Sequence, residues 1–199
     1  MTWVRRACCA ASPAKREIVA PAEAVIFDGP ILATAAAPIE RDRRVAVHEA
    51  SHAVVAVAVG GRVVSVTIDG QPRATHAGGL PRLDGVVITM AGPLGEGVLH
   101  HRSVYRPPDT EVAIWSDAAR RCAVSGQCDD CRIAIFLAAS TPDGGAFVAT
   151  YRRAEDRTLA LLDQPHIRSA IREVAAELLT HGTLTGDAVH QIAARHGVA

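Results

Sequence analysis

Residues 45–61 read VAVHEASHAVVAVAVGG, and no other stretch restricts the fold of this chain as strongly. Apart from His48, Glu49, Ser51 and His52 the segment is wholly apolar or glycine. As a helix it has no polar face, so it must be buried on all sides. Two histidines and a glutamate buried there without partners would be expensive. The H-E-x-x-H spacing offers a way out. On an α-helix, residues four apart lie about 40° apart around the axis and roughly 6 Å along it, so both imidazoles can reach one Zn²⁺. Glu49, about a quarter-turn round, can reach a water on that metal and take its proton. The bland alternative is a pair of core histidines satisfied by hydrogen bonds.

Around this helix the chain reads as mostly α (α+β), with a small β element beside the motif. Asp42 is a candidate N-cap for a helix whose first turn is Arg43–Ala46, and Gly60-Gly61 ends it. Arg62–Ile68 alternates at period two, which predicts a strand, and Asp69-Gly70 turns it. After a polar loop, Gly78–Pro81 is expected to hold a short extended edge, where proline is tolerated. Such an edge near the metal would let an extended peptide dock as an added strand. Val86–His101 begins as an apolar run, with Pro93 expected at a first helical position. Further helices are predicted over Glu111–Val124, Asp130–Ser140, Ala146–Asp163, Pro165–Thr180 and Gly186–His196, the last capped by Thr185.

Residues 1–38, with four prolines among many alanines and no sustained period, read as a flexible N-terminal arm in which Val25–Phe27 could add a short strand. Residues 39–199 read as one domain, with 146–199 forming its C-terminal helices. The formal net charge is zero, which argues against nucleic acid or an anionic membrane as partner. No transmembrane span or signal peptide is predicted, so the cytoplasm is the expected location. Five cysteines are an odd number for a complete disulfide framework. Cys128-Asp129-Asp130-Cys131 is a C-x-x-C without the second one that a zinc ribbon requires. Ordinary reduced thiols are the expectation, with a second metal or redox site as the alternative.

Catalytic zinc usually takes three protein ligands and leaves a fourth position for water. A third histidine at the extended H-E-x-x-H-x-x-G-x-x-H spacing is absent. Glu96 and Asp117, both on predicted helices downstream, are the carboxylate candidates, and His100-His101 is a third.

The order of these features resembles the peptidase domain of the FtsH family of ATP-dependent zinc metalloproteases. The residues that carry the likeness are VAVHEASHAVVA, the strand VVSVTI, GGLP, VVITMAGPLGEGVL, SDAARRCAV, and the closing LLTHGTLTGDAVHQIAARHG. They cover about residues 43–124 well and 146–197 loosely. The resemblance implies His48 and His52 as zinc ligands, Glu49 as general base, Asp117 as third ligand, and Glu96 as alternative third ligand or as a group orienting one. Ser51 stands where the family has glycine. Residues 92–96 lack the family's arginine and doubled glutamate, and residues 125–145 do not match it. No Walker A sequence is present.

The expected function is therefore metalloendopeptidase hydrolysis of flexible or unfolded polypeptides, independent of ATP. The family's ring assembly allows a homo-oligomer, and the missing ATPase motif allows a separate ATPase or unfolding partner. Two alternatives stand beside it: a catalytically silent interaction or regulatory module of the same fold, and a zinc hydrolase of a small amide.

Overall fold

The computed structural model describes residues 38–100, 104–121, 124, 126 and 128–198, with 38–42 described by backbone only. The expected strand at Val25–Phe27 lies outside them, as do Cys122 and His101. The elements in chain order are α1 (Pro38–Ala58), β1 (Val63–Thr67), β2 (Arg73–His76), α2 (Arg82–Leu99), α3 (Asp109–Arg120) and α4 (Asp129–Ala138). They are followed by α5 (Gly144–Leu162), α6 (Pro165–His181), β3 (Thr183–Thr185) and α7 (Gly186–Arg195). The architecture is mostly α, with one three-stranded antiparallel sheet of order β2-β1-β3.

The motif helix α1 is the centre of the fold. Ala46, Ala50, Ala53, Val54, Val55 and Ala56 are each no more than 1% exposed. It packs against α2 on one side and α6 on another, with the sheet alongside. Gly60, at φ 80°, stops it in the left-handed conformation that glycine adopts without strain. The crossing with α2 is unusually close because small residues meet there. A Cβ on Gly95 would fall 2.7 Å from the Ser51 Cβ, so Ser51 is accommodated by the glycine facing it. Its hydroxyl donates to the Val47 carbonyl one turn back, at 2.7 Å.

Four expectations are corrected. The motif helix begins at Pro38, so Asp42 lies inside it and is not its N-cap. The strand beside β1 is Arg73–His76, not Gly78–Pro81; it pairs Val66 with Ala74 and Thr67 with Arg73. Pro81 instead sits at the N-cap of α2. Pro93 does not begin a helix but lies within α2. The buried run Val86, Val87, Ile88, Met90, Ala91 and Leu94 continues across it, and this burial outweighs the roughly 3 kcal/mol that an interior proline costs. The short strand β3 was not expected. It pairs Leu184 with Val66, bringing the C-terminal helices back onto β1.

No helix among the described residues is long and apolar enough to cross a membrane.

Candidate metal centre

His48 and His52 stand one turn apart on α1, and their rings meet edge to face with centroids 4.7 Å apart. Each ring has one nitrogen committed elsewhere. His52 Nδ1 donates to the Ile88 carbonyl of α2 at 2.6 Å. His48 Nδ1 donates to Glu96 Oε1 of α2 at 2.7 Å. Arg44, one turn before His48, donates in turn to Glu96 Oε2 at 2.8 Å. These bonds fix both rings so that the two Nε2 atoms face one point, 3.1 Å apart.

The third group at that point is Asp129. Its Oδ2 lies 2.9 Å from His48 Nε2 and 3.4 Å from His52 Nε2. Asp129 opens α4, where a carboxylate interacts favourably with the helix dipole. It lies one turn before Ile133, and burial of Ile133, Ala134 and Leu137 packs α4 against α2 and α3, which leaves Asp129 at the end that reaches the histidines. Arg82 helps hold the far end, donating to the Ala139 carbonyl at 2.8 Å.

His48, His52 and Asp129 form the one group among the described residues whose ligand atoms lie close enough to share a metal ion. Two imidazole nitrogens and a carboxylate oxygen are donors zinc accepts, at about 2.0–2.2 Å each. Ligands at that distance around a tetrahedral centre are about 3.3 Å apart, close to the 2.9–3.4 Å measured here. The donor set and the spacing fit. His48 and Asp129 each keep about a fifth of their side-chain surface exposed, so the site is reachable from solvent.

The electrostatics agree with a cation position. Burial alone would lower the affinity of His48 for its proton, but the carboxylates of Asp129 and Glu96 outweigh it and raise its pKa to about 10. Burial likewise opposes ionisation of Asp129, yet the two imidazoles hold its carboxyl well below the usual carboxylate range. Glu96 is lowered in the same way by His48 and Arg44, against burial. Metal-free, the cluster is a protonated imidazole between two carboxylates, and a metal at Nε2 replaces that proton.

Glu49 points to a different side of α1 and is 7% exposed. Burial raises its pKa, a shift that the neighbouring imidazoles only partly offset. The nearby backbone of Ala74 in β2 acts in the same direction as the imidazoles, and least of all these influences.

Asp117 is not part of this group. It sits on the solvent face of α3, while Val112, Trp115, Ala118 and Ala119 on the other face are buried. Glu96 orients a histidine instead of joining the cluster, and His100 ends α2 outside it. Asp129 is not among the carboxylates that the sequence points to, since it lies within the C-x-x-C of Cys128 and Cys131, far from the motif in the chain. The usable signal was an acidic residue opening a helix, in phase with the apolar stripe Ile133–Leu137.

Compared with known proteins, the chain matches no family model and no curated sequence.

Proposed function

We propose that this chain is a zinc-dependent peptidase related to the FtsH-family peptidase domain, hydrolysing peptide bonds in flexible or unfolded polypeptides without ATP. The observation that carries this reading is the convergence of His48, His52 and Asp129 on one point, with Glu49 on the adjacent side of the same helix. A metal held there supplies Lewis-acid activation of water and of the scissile carbonyl near neutral pH. His48, His52 and Asp129 hold it, and Glu96, braced by Arg44, keeps His48 in the tautomer that presents Nε2. Glu49 takes the proton of the attacking water and returns it to the leaving amine; its raised pKa, caused by burial, suits that exchange. Among the described residues β2 is an edge strand, which supports docking of an extended chain along it by main-chain hydrogen bonds.

The test is Glu49→Gln against wild type, with zinc content by elemental analysis and cleavage of a fluorescently labelled unfolded polypeptide. The variant should keep its zinc and lose roughly 10²–10⁴-fold in rate. His52→Ala should lose the metal itself. A zinc-loaded wild type that cleaves no faster than Glu49→Gln would refute the peptidase reading.

A further inference from the structure

Pro93 leaves a gap in the hydrogen bonding of α2 beside the metal centre. In a regular α-helix the N–H of residue 93 donates to the carbonyl of residue 89. Proline has no N–H, and its ring crowds the carbonyl four residues back, so the Thr89 carbonyl loses its helical partner. Among the described residues no side chain takes that place, and the Thr89 hydroxyl is itself spent on the Gly85 carbonyl at 2.8 Å.

The neighbours of Thr89 show where this carbonyl stands. The Ile88 carbonyl accepts from His52 Nδ1 at 2.6 Å, and a Cβ on Gly92 would fall 2.3 Å from His52 Nε2. Thr89 therefore belongs to the turn of α2 that touches His52. By helix geometry it lies about 20° round the axis from Glu96, the partner of His48 Nδ1. Gly85, Thr89, Pro93 and Glu96 are all half-buried, whereas Val86, Val87, Ile88, Met90 and Ala91 are buried. This stripe is the side of α2 that runs past the histidines and still meets solvent. A Cβ on Gly85 would meet nothing within 4 Å, so there is open space along it. Successive helix positions are about 3.8 Å apart, which sets the Thr89 carbonyl oxygen within about 7 Å of His52 Nδ1. Groups on one side of an extended chain recur about every 7 Å.

We propose that the Thr89 carbonyl, released by Pro93, is a fixed acceptor for a main-chain N–H of the substrate, two residues from the bond held at the metal. The inference rests on the peptidase reading above and narrows it to chains that run extended through the site with that N–H free. A chain with proline at that position lacks the donor and is the poorer substrate.

The experiment uses the full zinc-loaded chain and four probes, with affinities from calorimetry. Tetra-alanine carries a hydroxamate, which binds the metal, at one end or at the other. Each form is made with and without an N-methyl group on the amide two residues from the hydroxamate. In wild type, N-methylation should weaken one of the two orientations by roughly threefold to tenfold, the worth of one hydrogen bond. In Pro93→Ala the new N–H takes up the Thr89 carbonyl, and that ratio should fall to about one. Both probes meet the same metal in each protein, so a change in metal affinity cancels from the ratio. The variant gains a helical hydrogen bond and should resist urea at least as well as wild type. Wild-type ratios near one in both orientations, or a ratio that Pro93→Ala leaves unchanged, overturn the acceptor alone. A zinc-loaded wild type that binds none of the probes overturns the peptidase reading and the acceptor with it.

Discussion

Gly92 lies on α2 directly against the two imidazoles, and replacing it by alanine tests the geometry of the centre without touching a ligand. A Cβ built there falls 2.3 Å from His52 Nε2 and 2.6 Å from His48 Nε2. Ordinary contact needs about 3.5 Å, so the methyl group is about 1 Å too close to both rings. Neither ring can yield alone, because the Nδ1 atoms are tied to Ile88 and Glu96. Either the imidazoles rotate off their common point or α1 and α2 separate by about 1 Å, an overpacking that costs about 1–3 kcal/mol. Zinc affinity should fall at least as far as when an orienting partner is lost, roughly 10–100-fold. Gly85 on the same helix is the control, since its Cβ would meet nothing within 4 Å. There the helix propensity of alanine should appear undisturbed, stabilising by up to about 1 kcal/mol. Chelator competition gives the affinities, and urea unfolding monitored by circular dichroism gives the stabilities. If Gly92→Ala binds zinc within twofold of wild type at unchanged stability, the two Nε2 atoms do not share a metal at this place.

Asp129→Ala should reduce zinc affinity by more than Glu96→Gln, for which a roughly 10–100-fold loss is expected, whereas Asp117→Ala should leave it unchanged; a loss confined to Asp117→Ala would reassign the third ligand. Uptake of zinc near pH 7.5 should release protons, because His48, with a pKa of about 10 in the metal-free cluster, must give one up; identical calorimetric enthalpies in buffers of different ionisation enthalpy would refute this. Glu173 on α6 binds Arg195 and, at 2.6 Å, His196 at the end of α7, and these partners, Arg195 foremost, lower its pKa below the ordinary 4.5. Its contribution is therefore present above about pH 4.5 and lost as pH falls through the folded-state value. Glu173→Gln should be less stable than wild type at pH 7 by roughly 0.2–1 kcal/mol, with the difference shrinking as pH falls below the ordinary carboxylate range; a difference undiminished in acid would assign the effect to packing.

The sequence alone determined the centre of this molecule. An apolar run with no polar face admits only a buried helix, and the four-residue spacing of His48 and His52 then puts both rings on one side of it, with Glu49 beside them. Helix periods, the Gly60 stop, the Thr185 cap and the existence of β1 were legible for the same reason: each is a local pattern. The strict alternation expected of β1 does not hold, because the register shifts between Val63 and Ser65 and buries Val63 and Val66. The tertiary structure decided what local pattern cannot encode. Asp117 and Asp129 both lie on helices with apolar stripes, and only the packing shows that α3 turns Asp117 to solvent while α4 carries Asp129 to the histidines. Pro93 ends a helix by its own chemistry, yet here it sits inside one because burial on both sides of it is worth more. The fit of Gly92 beneath the imidazoles is likewise a contact between two helices. A ligand set is a property of points in space, and His52 and Asp129, with 76 residues of chain between them, are brought to one point only by the core that folds them there.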